Sequence, residues 1–318
     1  MEKKLKVILD TDIGHDMDDA CALAYLCART DVDLLGVTTV GGDAWSRAEL
    51  VSAVCTSMHK PDVPIFPGLE TCILRHQYQD HNPQSFVLEK YPHRSDFPKR
   101  KAITWLSETI RQNPGEIVLF AIGPLNNISI LFQMDPEIPS LLKAFYWMGG
   151  KFAEYDYPTF TKKVNDNVIS TATTGNLMEW NAAIDGLSTA IVFEKDIKTF
   201  RSVGIDITHR VCLTAKEFKE RLKDKLPPIL SDLSDAWLDF DPTDSRVLTY
   251  HDPVCVTSFF NDKICEYTRG NVTVETISPK LRGFTYFEID PDGRHEIATD
   301  VNVEAFFEEF GDTVEKAK

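Results

Sequence analysis

The residues best suited to chemistry form a dense acidic segment near the N-terminus, residues 10–19 (DTDIGHDMDD). Five carboxylates within ten residues repel one another and raise one another's pKa unless a cation neutralises them. A site made only of oxygen ligands favours calcium or magnesium over zinc. Asp18 and Asp19 also precede an apolar helical pattern, where acidic groups stabilise a helix start. The segment therefore predicts a hard-cation site, with helix capping as the alternative for some of its aspartates.

Two other meanings of this segment can be tested on its residues. An EF-hand loop beginning at Asp10 needs Gly at its sixth position and Glu at its twelfth, but those positions hold His15 and Cys21. That interpretation is excluded. A haloacid-dehalogenase-type phosphatase also begins with a strand and Asp-x-Asp, and Asp10 would then be the nucleophile of a magnesium-dependent enzyme. That family normally has Thr or Val within the next two residues, where this chain has Ile13 and Gly14. The phosphatase is the alternative enzyme.

Short apolar runs alternate with helical patterns along the chain. We predict strands at residues 7–9, 34–40, 117–122, 144–148 and 190–193. Helical patterns cover residues 20–27, 48–58 and 303–310. Strands that are continuously apolar are typical of a parallel sheet covered on both faces. The sequence therefore predicts an α/β fold, a single domain over residues 1–318 with a mainly parallel central sheet flanked by helices around a Rossmann-like core.

Polar and glycine-rich residues follow four of these predicted strands. They are residues 10–12 (DTD), 41–43 (GGD), 123–127 (GPLNN) and 149–150 (GG). In parallel sheets, ligands bind beyond the carboxyl ends of the strands. The functional site is therefore predicted at this edge of the sheet.

Composition narrows the class of partner. The 318 residues carry 34 Lys and Arg against 49 Asp and Glu, a formal net charge of −15. This acidity disfavours nucleic acid and anionic membrane surfaces as partners, because both require clustered positive charge. No stretch reaches the roughly 20 apolar residues of a membrane span. The seven cysteines include no CxxC pair, which fits a reducing, cytoplasmic location.

Four motifs in order along the chain resemble those of the inosine–uridine nucleoside hydrolase family. The segment 10–20 is similar to the family's Asp-x-Asp-Pro-Gly-x-Asp-Asp-Ala pattern, and residues 123–128 (GPLNNI) to its Gly-Pro-Leu-Thr-Asn-Ile segment. Residues 179–181 (EWN), followed by Asp185, resemble Glu-Phe-Asn followed by Asp-Pro, and residues 251–253 are His-Asp-Pro. The resemblance covers nearly the whole chain. It implies hydrolysis of the N-glycosidic bond of a ribonucleoside, or of a related N-riboside, to ribose and free base.

The resemblance also implies a role for each matching residue. Asp12 would bind calcium and act as general base toward water, and Asp10 would orient the calcium ligands from behind. The other calcium ligands would be the Asp19 carboxylate, the Asn126 carbonyl oxygen and the Asp252 carboxylate. His251 would lie near the leaving base as an acid. Residues expected around the sugar are Asp18, Asp43, Asn176, Glu179 and Asn181.

The chain departs from the family pattern at the acidic segment. Ile13 replaces the usual Pro, and two extra residues stand before the Asp-Asp-Ala step at residues 18–20. A different alignment would move a ligand role to Asp16, and His15 in the lengthened loop could reach the substrate. A calcium-dependent nucleoside-binding protein without turnover is therefore the non-enzyme alternative. Family members are usually dimers or tetramers, so a homodimer or homotetramer is expected.

Overall fold

The computed structural model describes residues 3–74, 81–153, 161–164, 167–170, 178–239 and 246–317. The strands within these residues are β1 (Leu5–Thr11), β2 (Val32–Thr39), β3 (Ile65–Pro67), β4 (Ile117–Ala121), β5 (Ala144–Met148), β6 (Thr161–Val164), β7 (Asn167–Ser170), β8 (Phe200–Val203), β9 (Cys212–Thr214), β10 (Val247–Thr249), β11 (Cys265–Val274), β12 (Thr285–Ile289) and β13 (His295–Val301). The α-helices are α1 (Asp18–Ala28), α2 (Ala44–Ser57), α3 (Ala102–Gln112), α4 (Asn126–Met134), α5 (Ile138–Leu141), α6 (Trp180–Ile184), α7 (Gly186–Phe193), α8 (Ile205–Thr208), α9 (Ala215–Arg221), α10 (Pro228–Asp239), α11 (His251–Phe260) and α12 (Val303–Glu315). Two short 3-10 helices cover Pro83–Glu89 and Lys223–Lys225.

Nine strands form one sheet in the order β12-β11-β13-β8-β5-β4-β1-β2-β3. The strands from β13 to β3 in this order pair in parallel, whereas β11 pairs antiparallel with both β12 and β13. Every residue of β4 and β5 is buried, as expected of parallel strands covered on both faces. The predicted mainly parallel α/β sheet is confirmed, and the strands expected at 7–9, 34–40, 117–122 and 144–148 are present.

Helices cover both faces of this sheet. On one face, α1, α2, α10, α11 and α12 enclose a large apolar core. On the other, α3, α4 and α7 pack over a second core around Phe132 and Phe145. The amphipathic helix predicted at 303–310 is α12, which buries Phe306 and Phe310. Among the described residues, no helix combines the length and the hydrophobicity that crossing a membrane requires.

The strand predicted at residues 190–193 is wrong, because these residues end helix α7. A run of four apolar residues fits a buried strand and a buried helix equally well. Here the residues before the run favour a helix. The Asp185 carboxylate accepts a hydrogen bond from the Ser188 N–H over 3.1 Å and so caps the helix. The Thr189 hydroxyl adds a bond of 3.0 Å to the Asp185 carbonyl. Local capping thus overrides the β-branched run.

The parallel strands bring their following loops to one edge of the sheet. β1, β2, β4 and β5 all run in the same direction, so the residues after each of them meet there. The turn after β2 contains Gly41 and Gly42 with φ of 79° and 56°, a backbone region that other residues rarely adopt. This turn leads directly into α2 and lies beside the acidic loop, since Val40 N–H donates to the Thr11 carbonyl over 3.0 Å.

Candidate active site

A cavity of about 220 Å³ opens at this edge of the sheet, beyond β1, β4 and β5. Its walls come from segments spread over most of the chain, and they combine an acidic part with an aromatic part. The lining residues are Asp12, His15, Asp16, Asp18, Asp19, Ile122, Met148, Glu179, Trp180, Asn181, Ile205, Trp237, His251 and Asp252.

Carboxylates that are distant in sequence meet in this cavity. Asp12 directly follows β1, and Asp18 and Asp19 begin α1. Asp252 lies in the first turn of α11, and its backbone N–H donates a hydrogen bond to Asp18 Oδ2 over 3.4 Å. None of the four is more than 7% exposed. The structure therefore brings the N-terminal acidic segment and the His-Asp-Pro motif into one site.

Burial and mutual repulsion raise the pKa of these carboxyl groups. Burial raises the pKa of Asp12 to about 6, even though the Arg47 guanidinium pulls it down. Burial, followed by repulsion from neighbouring carboxylates, raises the pKa values of Asp18, Asp19 and Asp252 well above their ordinary range. A cation bound here would therefore compete with protons for these carboxyl groups.

Asp16, in the lengthened loop, also faces this cluster. Burial would raise its pKa, but a hydrogen bond with Asp18 and the charges of His15 and His251 lower the pKa below its ordinary value. One carboxylate oxygen each of Asp16, Asp18 and Asp19 lies within 4.8 Å of the other two. A single divalent cation could contact all three. The structure thus adds Asp16 to the candidate ligands.

The donor set fits a hard divalent cation. Within the described part of the chain, the carboxylates of Asp12 and Asp252 accept no hydrogen bond from another residue, although the backbone of each is bonded. Acidic side chains that line a cavity without donors need a positive charge for balance. Because every candidate ligand atom is oxygen, calcium and magnesium suit the site better than zinc or copper.

Asp10 lies behind the cavity rather than in its wall. It is fully buried, and its carboxylate accepts hydrogen bonds from the Thr38 hydroxyl and, over 2.7 Å, from Asn127 Nδ2. Burial raises its pKa to about 7. A nucleophile must reach the substrate, so the position of Asp10 argues against the phosphatase alternative. The next residue of the strand, Thr11, donates a hydrogen bond from its hydroxyl group to the Asp19 carboxylate.

Glu179 and Asn181 form the cavity wall at the start of α6. The Glu179 carboxylate accepts three backbone N–H groups, from Asn181 at 2.6 Å, Ala182 at 2.9 Å and Gly150 at 3.0 Å. Burial nevertheless raises the pKa of Glu179 to about 7. Asn181 Nδ2 donates to the carbonyls of Ile122 at 3.1 Å and Met148 at 3.0 Å. Both groups are therefore locked to the ends of strands β4 and β5, and the Asn181 side chain retains its oxygen as an acceptor.

His251 begins α11 and lines the cavity beside Asp252. Its Nδ1 lies 2.7 Å from the Thr208 hydroxyl, and the ring of His209 stands perpendicular to it with centroids 4.8 Å apart. Burial lowers the pKa of His251 to about 4, against the attraction of Asp16. The neutral ring therefore predominates near pH 7. A hydrogen on Nε2 is compatible with the hydroxyl of Thr208 donating to Nδ1.

Aromatic rings form the side of the cavity that faces solvent. The His15 ring lies between two indoles, with centroids 6.5 Å from Trp180 and 6.4 Å from Trp237. Trp180 is 48% exposed, so it is not a core residue. The Arg246 guanidinium stacks over Trp237 at 4.3 Å. The cavity thus has an acidic floor suited to a sugar and cation, and an aromatic rim suited to a planar group.

Two residues assigned from the sequence do not line the cavity, and a third lies outside the described residues. Asp43 is exposed and caps α2 by accepting the Ser46 N–H over 2.9 Å. Asn126, the first residue of α4, is absent from the lining. Its carbonyl accepts the Ser129 hydroxyl over 3.0 Å, and its side chain donates to Thr71 and Asp185. Asn176 lies outside the described residues.

Two residues at the site were not identified from the sequence. Arg47 is completely buried beneath the acidic loop, yet an arginine in a helical pattern normally signals an exposed face. Trp237 reaches the cavity from α10, far along the chain from every motif. No local pattern marks either residue, because both act through tertiary packing.

Comparison with known proteins identifies the class. A family model described as "Inosine-uridine preferring nucleoside hydrolase" matches residues 7–308. The chain belongs to this family. It is also 30% identical over 293 residues to a probable uridine nucleosidase 2 of Arabidopsis thaliana, an alignment that covers 88% of this chain and 84% of the relative. The prediction of a nucleoside hydrolase family enzyme is confirmed, which leaves no support for the phosphatase or the non-enzyme alternative.

Solved structures share the fold of this nucleoside hydrolase over almost its full length. The plant nucleoside hydrolase PpNRh1 superposes with a TM-score of 0.77 at 24% identity and 98% coverage of both chains. A purine-preferring ribonucleoside hydrolase from Gardnerella vaginalis superposes with a TM-score of 0.81 at 21% identity, again with 98% coverage of both. These likenesses show a common α/β architecture.

Proposed function

We propose that this enzyme hydrolyses the N-glycosidic bond of a ribonucleoside, or of a related N-riboside, to ribose and free base, and that it depends on bound calcium. The observation that carries the proposal is the meeting of Asp12, Asp19 and Asp252 in one cavity with Glu179 and Asn181. The first three provide acidic oxygens for a cation, and the last two line the same space. Such a set serves a reaction that builds positive charge on a sugar.

Asp12 is the proposed general base. Its carboxylate lines the cavity and accepts no hydrogen bond from another described residue, so it is available to take a proton from water. A divalent cation, when bound, lowers the pKa of a neighbouring water and so makes that proton easier to remove. Asp12, Asp19 and Asp252 are the proposed ligands, with Asp16 as an additional candidate. The Asn126 carbonyl oxygen stays a proposed ligand, although Asn126 is not among the residues that line the cavity.

Asp18, Glu179 and Asn181 are proposed to bind the ribose hydroxyls. Their oxygens are held in place before substrate arrives: Asp18 by backbone N–H groups of Asp19 and Asp252, Glu179 by three backbone N–H groups, and Asn181 through its amide nitrogen. Acidic oxygens fixed around the sugar stabilise the oxocarbenium-like transition state without further reorganisation. Preorganisation of this kind is commonly the largest contribution to catalysis.

His251 is proposed to assist departure of the base. Its ring is mostly neutral near pH 7, because burial lowers its pKa to about 4. The neutral ring can donate a hydrogen bond from Nε2 to the leaving base as negative charge develops there, and it can act as an acid only after it has taken up a second proton. The rings of His15, Trp180 and Trp237 provide the aromatic surroundings for that base.

The base preference stays open in this proposal. One relative is described as a uridine nucleosidase and one structural neighbour as purine-preferring, so the two names point to different bases. We further propose a cytoplasmic enzyme, supported by seven cysteines that are all free thiols. A homodimer or homotetramer is proposed as well, since Ile277 and Ile289 are 86% and 72% exposed and provide apolar surface for self-association.

The deciding experiment combines substrates with metal depletion. Purine, pyrimidine and modified ribonucleosides are incubated with enzyme that holds calcium, with chelator-treated enzyme, and with treated enzyme resupplied with calcium or magnesium. We expect ribose and free base from at least one nucleoside, loss of turnover on chelation, and recovery with calcium. Release of no ribose from any N-riboside would refute the proposed activity. Full activity after chelation would refute the calcium requirement alone.

A further inference from the structure

Arg47 is a completely buried charged residue beside the acidic loop. It lies in the first turn of α2, and its guanidinium crosses from the turn after β2 to the loop after β1. Nε donates to the Gly41 carbonyl over 2.8 Å. Nη1 donates to the Ile13 carbonyl over 2.7 Å and also to the Asp12 carbonyl. One side chain therefore ties together two loops that belong to different strands.

The Arg47 guanidinium donates hydrogen bonds to backbone carbonyls of the acidic loop. A buried guanidinium is costly to desolvate and usually pairs with a carboxylate. Here the guanidinium charge is close enough to the Asp12 carboxylate to lower its pKa, and the same guanidinium donates a hydrogen bond to the Asp12 carbonyl. The guanidinium thus holds the Asp12 backbone directly. The side-chain oxygens of Asp12 thereby remain available to the cavity.

Asp12 is confined from the opposite side by Gly123, at the end of β4. A Cβ atom on Gly123 would lie 2.7 Å from Asp12 Oδ1, closer than real Cβ contacts, and 3.0 Å from the Asp12 backbone nitrogen, which is tighter than most such contacts. The backbone of Asp12 is thus bound to Arg47 while its side chain rests against a bare glycine. Both contacts restrict where the carboxylate can point.

We infer that Arg47 is a positioning residue, which fixes the Asp12 carboxylate toward the cation and the reacting water by clamping the carbonyls of residues 12 and 13 to the turn after β2. The inference rests on the proposed function, because it gives Arg47 a role through the proposed base. The clamp needs the planar fork of arginine, whose donors reach several carbonyls in fixed directions. A lysine ammonium carries the same charge but cannot span both loops.

The test uses Arg47→Lys, which keeps the charge and removes the fork. We expect kcat to fall about 100-fold, the size of effect that a displacement of about 1 Å produces at a reacting group. KM should change by less than about threefold, since Arg47 touches none of the groups proposed to bind ribose. Calcium binding to the chelator-treated protein, measured by titration calorimetry, should weaken about tenfold, or about 1.4 kcal/mol.

Arg94→Lys is the matched control. Arg94 also donates to a backbone carbonyl, that of Val63 at 2.7 Å, but it does not line the cavity. This variant should lower the melting temperature while leaving kcat and calcium affinity unchanged. A merely structural role for Arg47 predicts the same pattern in both variants, with altered stability and unaltered kcat. That result would overturn the inference.

A double-mutant cycle with Asp12→Asn separates the two proposals. If Arg47 acts through Asp12, Arg47→Lys should change the calcium affinity of the Asp12→Asn protein by less than about twofold. Additive losses would overturn the role of Arg47. Because calcium affinity is measured without turnover, the cycle remains informative if the wild-type enzyme hydrolyses no nucleoside, an outcome that would refute only the proposed activity. Should Arg47→Lys not fold, Arg47→Gln, which retains a planar donor, is measured in the same cycle.

Discussion

At the scale of single residues, Asp12 has the most direct tie between position and chemistry. It follows the last residue of β1, it is buried in the wall of the cavity, and its pKa is raised to about 6. A carboxylate in that state either holds a proton or faces a cation. A general base must likewise exist both as a carboxylate and, after it has taken a proton, as a carboxylic acid.

Replacing Asp12 by Asn should reduce kcat by about 1,000-fold or more, because the amide cannot accept the proton from water. The metal-free protein should not become less stable, since one member of a repelling set is removed. Kinetics with saturating calcium and thermal unfolding under chelator measure the two effects. Asp43→Asn is the matched control: Asp43 is exposed and outside the cavity, so kcat should stay within about twofold of wild type. Equal loss in both variants would contradict the assignment of Asp12.

Replacing His251 by Ala should slow hydrolysis of a nucleoside with a poor leaving group far more than hydrolysis of an activated riboside. The reason is that hypoxanthine needs a hydrogen bond or proton as it departs, whereas a nitrophenolate does not. We expect a loss of about 100-fold on inosine and less than about threefold on nitrophenyl riboside. Steady-state kinetics on the two substrates provide the measurement, and equal losses would count against a role for His251 at the base.

Some residues of the site could be predicted from the sequence, and others could not. The acidic residues and the His-Asp-Pro motif could be found because their types are unusual at that density and spacing. Asn126 was predicted to bind the cation through its backbone carbonyl oxygen. Whether a backbone oxygen faces a cavity depends on the path of the chain, which the type of side chain does not reveal. Arg47 and Trp237 were missed because their significance comes from what they pack against.

At the scale of elements, the site depends on close contacts between strand ends. Gly123 follows β4 where β1 passes beside it, and Ile122 N–H donates to the Asp10 carbonyl over 2.8 Å. The pairing of β4 with β1 therefore sets the distance between Gly123 and Asp12. There is room for a hydrogen atom at this position and none for a methyl group.

Gly123→Ala should accordingly displace the Asp12 side chain and lower kcat by about 100-fold. Calcium affinity should fall with it. Gly311→Ala, in the interior of α12, is the control: the added methyl would meet the flexible Lys225 side chain at 3.3 Å and Leu222 at 3.4 Å. Alanine is the better helix former by about 1 kcal/mol, so this variant should unfold at a slightly higher temperature with unchanged activity. Activity retained in Gly123→Ala would show that Asp12 tolerates a shift.

Strand and helix types could mostly be predicted, and the exception has a physical cause. Continuous apolar runs gave the parallel strands correctly at four places. The run 190–193 is helical because Asp185 caps the helix that contains it, and this cap stands five residues before the run begins. Element type there was decided by a hydrogen bond rather than by hydrophobicity.

At the scale of the whole molecule, the buried carboxyl groups link stability to pH. Asp10, Asp12 and Glu179 have pKa values of about 7, 6 and 7 in the folded protein, above the values of about 4 expected in an unfolded chain. Between pH 4 and 7 the folded state consequently binds more protons than the unfolded state. Their stabilising contribution is complete below pH 4 and is lost as the pH rises through 6 and 7.

The metal-free protein should therefore lose melting temperature as the pH is raised from 5 to 8, and saturating calcium should reverse most of that loss, because the cation replaces the protons. Thermal unfolding across this range, with chelator and with calcium, measures the effect. Asp12→Asn should show a shallower decline than wild type under chelator. Parallel curves with and without calcium would show that the cation does not bind at these carboxylates.

The overall architecture followed from the sequence more securely than the site did. A parallel sheet demands apolar strands, and its carboxyl edge demands polar loops, so both leave a trace in composition. The wall of the cavity does not require a particular local composition. Its aromatic rim forms only when α6 and α10 pack together in the fold, so the sequence alone did not predict it. That all residues 1–318 act as one domain stays a prediction.

The hydrogen bond from Asp252 to Asp18 has a consequence for how the enzyme is made. The acidic loop is synthesised first, and its partner in α11 emerges from the ribosome only after four-fifths of the chain has been translated. Until then the nascent N-terminal part carries an incomplete set of ligands. Chains that end before α11, whether through premature termination or proteolysis, should therefore be catalytically inactive.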